Sequence, residues 1–271
     1  MRLAEPILAS WKAHLGLRFE PRGGRTILAE RRLDGPLVVQ KSLHPEGDAV
    51  CHAIVVHPPG GIAGGDELVL ACKAGAGAHA LLTTPGAGKW YRSGGALASQ
   101  RLHFEADGTL EWLPRETIVF DGALARLESQ VDLGAAGAYI GWEVVCLGRA
   151  TAGEGFSHGS VRFSSRITRA GRLLWTERGA IEGGGAILRS AAGLGGHRVF
   201  GTLVATLDRA DATLIAACRA HAAVTHLPGL LVARYLGDAS EEAFERFTRL
   251  WELLRPVVAG REAVVPRIWS T

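Results

Sequence analysis

Four groups of residues have types and spacings that could do chemistry. Gly155-Phe156-Ser157-His158-Gly159 fits G-x-S-x-G, the turn that lifts a serine nucleophile in some hydrolases, with Glu154 beside it as a possible acid. That turn works only between a strand and a helix, whereas Ser160 to Thr168 alternates as a strand. Pro85-Gly86-Ala87-Gly88-Lys89-Trp90 resembles a phosphate loop but has Thr83 where the first glycine belongs and Trp90 where the metal-binding hydroxyl belongs. Gly193 to Arg198 fails as a dinucleotide fingerprint because arginine takes the last glycine position. Cys51, His52 and His57 are metal-ligand types, yet on a strand Cys51 and His52 point to opposite faces, and Cys51 and His57 stand roughly 20 Å apart.

Acidic residues carry more information. Asp66 and Glu67 close a glycine-rich loop, Glu143 interrupts the apolar run Trp142-Val144, and Glu177 follows Trp175 in another strand-like segment. A carboxylate at an apolar position must be paired, hydrated or metal-bound, because an isolated buried charge is too costly. Arginine salt bridges satisfy that requirement. So does a wet interior path in which spaced oxygen ligands pass a divalent ion along without trapping it.

These residues need a frame, and the apolar pattern supplies one. From about Gly24 to Leu207 short apolar runs are separated by glycine. Ala98 to Glu105 and Val161 to Thr168 alternate cleanly as half-buried strands. Further strands are expected at Leu37 to Leu43, Val50 to Val56, Glu67 to Cys72, Ala78 to Thr84, Thr109 to Leu113, Ala138 to Cys146, Leu173 to Glu177, Val199 to Leu207 and Leu230 to Tyr235. The last sixty or so residues change character. Asp211 to Val224 is an alanine-rich helix candidate. Asp238 and Glu241 form a capping pair for a second helix, whose apolar stripe Phe244, Phe247, Leu250, Trp251, Leu254 runs until Pro256 stops it. The pattern predicts a mainly β chain, a multi-stranded sandwich or helical-like body with two helices near the C-terminus. No composition shift marks a boundary, so residues 1–271 are expected to form a single domain.

Composition narrows the function classes. The 271 residues carry 30 basic and 27 acidic side chains, a formal +3, without the excess that a nucleic-acid groove or an anionic membrane surface needs. Thirty-six glycines without a Gly-X-Y period imply many turns and bulges. Ala49 to Gly65, the longest stretch free of charged side chains, contains two His, two Pro and four Gly and cannot cross a bilayer as a helix. With no secretory leader pattern, a cytoplasmic location is expected, and Cys51, Cys72, Cys146 and Cys218 are expected to be buried thiols.

Several strings, in order, resemble the UreD (UreH) family of urease accessory proteins. They are His57-Pro58-Pro59-Gly60-Gly61-Ile62-Ala63-Gly64-Gly65-Asp66-Glu67-Leu68, Pro85-Gly86-Ala87-Gly88-Lys89-Trp90-Tyr91-Arg92-Ser93 and Leu110-Glu111-Trp112-Leu113-Pro114. Cys146-Leu147-Gly148-Arg149, Phe156-Ser157-His158-Gly159 and Pro266-Arg267-Ile268-Trp269-Ser270-Thr271 follow. The resemblance implies a β-rich body with two helices. It also implies a non-enzymatic role in maturing the nickel enzyme urease. The partners it implies are the urease structural subunits, UreF and, through UreF, the GTPase UreG, with nucleic acid and membrane excluded and homo- or hetero-oligomers open. GTP hydrolysis and carbamylation of the urease lysine would belong to those partners. No cofactor would be permanently bound. Ni2+ would pass transiently along an interior path lined or flanked by Asp66, Glu67, Glu143 and Glu177. Gly88 stands where some relatives carry a small hydroxyl residue. The reading from another class is a β-rich serine hydrolase using Ser157 and His158.

Overall fold

The computed structural model describes residues 10–149 and 152–270, built from two sheets and two α-helices. In chain order the strands are β1 (Lys12–Arg22), β2 (Arg25–Asp34), β3 (Val38–Leu43), β4 (Cys51–Val56), β5 (Glu67–Ala74), β6 (His79–Thr83), β7 (Gly88–Trp90), β8 (Ala98–Ala106) and β9 (Thr109–Leu113). They continue as β10 (Thr117–Val119), β11 (Leu124–Leu133), β12 (Ala138–Leu147), β13 (Ser160–Arg169), β14 (Arg172–Glu182), β15 (Val199–Thr206), β16 (Ala223–Leu227) and β17 (Leu230–Gly237). The helices are α1 (Ala212–Arg219) and α2 (Ser240–Ala259).

An outer sheet has the order β14-β13-β11-β8-β5-β1-β2, and a middle sheet has the order β16-β17-β15-β12-β9-β6-β4-β3, with β10 and β7 attached beside β12. The central pairs β5–β8, β8–β11 and β11–β13 of the outer sheet are parallel, as are β4–β6, β6–β9 and β9–β12 of the middle sheet. From β4 to β13 the chain passes repeatedly from one sheet to the other and returns one strand further along, so the centre winds as a flattened β-helix. Hairpins close it at both ends: β1–β2 and β13–β14 in the outer sheet, β16–β17 in the middle one.

Strand alternation sorts the core into two layers. Leu15, Leu17 and Phe19 of β1, Leu70 of β5, Leu102 and Phe104 of β8 and Trp112 of β9 pack between the sheets. Trp142 and Val144 of β12, Leu203 of β15 and Leu231 of β17 face the other way, against Phe247, Leu250, Trp251 and Leu254 of α2. Burying each of those large α2 side chains contributes about 1.5–3 kcal/mol, so the stripe docks the helix without help from intrinsic propensity.

The mainly β class and the two C-terminal helices are as the pattern predicts. Three details differ. β1, β2, β7, β10 and β11 lie outside the expected strands. α1 ends at Arg219 and is followed by β16, where a helix to Val224 is expected. At α2 the N-cap is Ala239 with no side-chain cap, because Asp238 bonds His197 and the Arg198 amide; Pro256 does not stop the helix, which runs to Ala259 and a left-handed Gly260. A proline within the final turn removes only one backbone bond, and Gly260 at φ 65° supplies the reversal. All four cysteines are free and buried.

Candidate functional site

Two cavities lie between the sheets, and they share residues. The larger, about 360 Å³, is bordered by Leu68, Leu70, Leu102 and Trp112 from the strands and by the loops carrying His57, Gly60, Gly61 and Thr84 to Lys89. The smaller, about 70 Å³, lies between β11, β13 and β14 on one side and β12 and β15 on the other. Leu127 and Glu143 line both. That smaller volume still exceeds what one water requires.

Register explains how polar groups come to line one stretch of this otherwise mainly apolar cavity. In the outer sheet Ser129 pairs with Ser165 and Ser165 with Glu177, while in the middle sheet Glu143 pairs with Thr202 and Thr202 with Arg234. Two rows of polar side chains thus face each other across the gap. Arg234 binds Glu177, donates to Thr202 Oγ1 at 2.8 Å and stacks over the Trp175 ring at 5.5 Å. Glu143 has no cation partner among the described residues. Burial, reinforced by the negative charge of Glu177, pushes its carboxyl up to about 7.

Buried polar atoms without a hydrogen-bond partner cluster at the same two cavities. His57 Nε2 and Trp112 Nε1 belong to residues lining the larger cavity, and Trp175 Nε1 to one lining the smaller. The fourth such atom, Arg169 Nε, lies away from both; the three at the cavities would each be satisfied by a water in the space they border. Burial lowers the His57 imidazole below its usual value against the opposing pull of Asp66, leaving a neutral nitrogen lone pair or N–H at the cavity wall.

The glycine-rich loop shapes that wall. A Cβ on Gly61 would lie 2.0 Å from the Tyr91 ring, and Gly65 adopts φ 92° immediately before Asp66. Asp66 is buried, and its carboxylate accepts from the Trp11 amide at 2.7 Å and the Ala63 amide at 2.8 Å. It pins β1 and the loop while its charge acts on His57. Glu67 points to the exterior, where Lys12 binds it and holds its carboxyl below the usual range. Thus Glu143 and Glu177 share one cavity, whereas Asp66 and Glu67 border neither.

A third polar group lies on the opposite face of the middle sheet. Arg255 of α2 donates to Glu111 of β9 at 3.0 Å and to Glu46 at 2.7 and 2.8 Å. His79 Nε2 is 2.5 Å from Glu111, His52 Nε2 is 2.5 Å from Glu46, and Trp251 Nε1 donates to Glu111. Burial alone would raise Glu46, but the bonds from His52 and Arg255 bring it down to about 2. Glu111 moves down for the same kind of reason. Cys51 and His52 do diverge: Cys51 packs between the sheets, while His52 enters this network. No cluster of three or more His, Cys, Asp or Glu side chains able to hold a metal occurs among the described residues.

The motifs resembling enzyme sites do not assemble. Ser157 and His158 are exposed loop residues leading into β13, not into a helix, and their amides both donate to Asp121 Oδ1. His158 Nδ1 lies 3.2 Å from Asp121 Oδ2, and no hydrogen bond joins the Ser157 hydroxyl to the imidazole. Glu154 pairs with Arg149. Gly88 to Trp90 is strand β7, so no helix N-terminus follows the glycine-rich segment to receive a phosphate.

The UreD urease accessory protein family model matches residues 12–270. The chain belongs to the UreD family. Curated urease accessory proteins UreD resemble it along nearly their whole length. The protein from Azoarcus sp. (strain BH72) is 55% identical over 269 residues, covering 96% of this chain and 94% of the relative. That from Dechloromonas aromatica (strain RCB) is 53% identical over 274 residues, covering 97% and 95%. That from Methylobacillus flagellatus is 48% identical over 270 residues, covering 96% and 95%. The fold places family strings in the glycine-rich loop before β5, on β7 and β9, and at the tail. There Trp269 Nε1 donates to Thr83 Oγ1 at 2.8 Å, and its ring packs on Trp142, Phe244 and Trp251. Among the described residues no helix is long and apolar enough to cross a membrane.

Proposed function

We propose that the protein is a non-enzymatic scaffold of urease maturation in the cytoplasm, binding the urease apoprotein and UreF, receiving UreG through UreF, and conducting nickel through its interior. Family membership supports the accessory role. The nickel route is supported by one observation above the rest: two cavities between the sheets share Glu143, a carboxylate without a cation partner among the described residues. Relay needs weak ligands in series, since a closed set of strong donors would keep the ion. Glu143 and Glu177 supply oxygen, His57 supplies a neutral imidazole nitrogen, and Asp66 tunes that imidazole from outside the cavity. Glu67 would act at the exterior approach. No chemical step falls to the protein itself.

The test is co-expression with the urease subunits, UreF and UreG, comparing the wild type with Glu143→Ala and Glu177→Ala. The expected result is an unchanged complex by co-purification with urease nickel content reduced about tenfold, the lower end of what losing a metal-orienting group costs. Full nickel content with both carboxylates removed would end the interior-route reading, and failure of the wild type to co-purify would end the scaffold reading.

A further inference from the structure

The solvent face of the outer sheet divides sharply by charge pairing. Over most of it cations and carboxylates are matched: Lys12 with Glu67, Arg18 with Glu30, Lys73 with Glu105, Arg101 with Glu128. At the β11–β13–β14 end the pattern stops. Arg126 pairs in register with Arg162, Ser164 with Arg178, and Arg166 with Thr176, so four arginines share one face of three adjacent strands. None has an ion pair or side-chain hydrogen bond among the described residues. Of the carboxylates on this face, Glu128 is directed to Arg101 at 3.3 Å, Asp132 accepts from Gln130 and Thr168, and Glu182 lies opposite Ser160 at the end of the patch. Arg162, Arg166 and Arg178 are exposed.

Like charges placed directly across neighbouring strands destabilise a sheet, and a surface that needed only solubility would intersperse signs as the rest of this face does. An apolar spot lies at one end of the cluster. Arg166, Leu173, Thr176 and Arg178 surround a shallow hollow, and Leu173 is 48% exposed within it. An apolar anchor flanked by Arg166 and Arg178, with two further arginines along the same face, is the anatomy of a protein contact, in which guanidinium forks take carboxylates two oxygens at a time.

We propose that this face of β11, β13 and β14 docks an acidic segment of a partner protein, whose carboxylates pair with Arg126, Arg162, Arg166 and Arg178 while an apolar side chain seats beside Leu173. Adjacent strands are about 4.8 Å apart and alternate residues about 6.6 Å apart, so the arginine grid matches carboxylates spaced along one strand or one helix face. A single-stranded nucleic acid would want aromatic stacking platforms, which the hollow lacks, and the whole chain carries only +3.

The experiment uses the full chain and fluorescence anisotropy with a labelled oligoglutamate peptide, and separately a labelled single-stranded DNA, at matched ionic strength. The triple variant R162E/R166E/R178E should bind the peptide at least about tenfold more weakly. A control reversing exposed arginines elsewhere, R22E/R189E/R261E, should change binding about twofold or less. Equal losses in both triples, or no loss in the first, would overturn the proposal. DNA held more tightly than the peptide through the same arginines would reassign the surface to nucleic acid. If charge reversal lowers the melting temperature, R162Q/R166Q/R178Q replaces it under the same criteria.

Discussion

Glu143 holds a proton that its surroundings make it reluctant to lose. Its carboxyl sits near 7 because burial and Glu177 both oppose the charged form. A folded value raised above the unfolded one gives stability that is complete below the unfolded value, near 4.5, and is lost as pH climbs through about 7. Glu143→Gln should remove this dependence. In urea titrations the wild type should lose up to about 3 kcal/mol relative to the variant between pH 4.5 and 8, with a parallel pH profile counting against the assignment. The same proton competes with any cation, so nickel transfer by the wild type should strengthen as pH rises through neutrality. That Glu143 stands out is legible in the sequence, since a lone carboxylate between Trp142 and Val144 needs a partner, water or an ion. The serines at 129 and 165 and Thr202 are not, because small hydroxyls are common in strands and only inter-strand register aligns them into a wall.

At the scale of elements, α2 is held to the middle sheet by more than its apolar stripe. Arg255, Glu46 and Glu111 form a largely enclosed charge group with two histidines, and removing the arginine leaves the two carboxylates with only the histidines and Trp251 as side-chain partners. Arg255→Ala should cost about 3–5 kcal/mol in chemical denaturation. A loss under about 1 kcal/mol would mean that water already reaches the group. Sequence separation hid this network: Glu46 and Arg255 lie 209 positions apart, and nothing local distinguishes either from a surface charge. The strands were easier, though β11 lies outside the expected set because Ser129 falls in its inward phase and interrupts the apolar beat of Ala125, Leu127, Val131 and Leu133. β1 carries an unbroken beat of Ala13, Leu15, Leu17 and Phe19, a signal present in the residues although the strand lies outside the expected set. Helix ends were misjudged for tertiary reasons. Asp238, a good cap by type, is occupied by His197, and Pro256 falls late enough for the helix to absorb it.

For the molecule as a whole, winding was the least legible property. Alternation identifies strands and their inward faces, but β4 to β13 could equally be joined as consecutive hairpins. Which neighbour each strand chooses depends on loops that cross between sheets, and that choice creates the enclosed space in which Glu143 and Glu177 meet. The four free thiols are scattered through this architecture: Cys51 on β4, Cys72 on β5, Cys146 on β12 and Cys218 on α1. Burial pushes Cys51 up to about 11 and Cys146 up to about 12, and it raises Cys72 and Cys218 as well. Thiolates, not thiols, react, so intact molecules should resist alkylation in neutral buffer, while each region that opens surrenders its own sulfur. Pulse labelling with iodoacetamide across a denaturant series, read by peptide mass, then gives a sequence of opening events. Release of Cys218 and Cys146 before Cys72 would show the helical layer peeling from the sheets first, and simultaneous labelling of all four would show one cooperative body. Nature has left this chain with an internal set of clocks, one on the outer sheet, two on the middle sheet and one on the helical layer, that needs no engineered tag to be read.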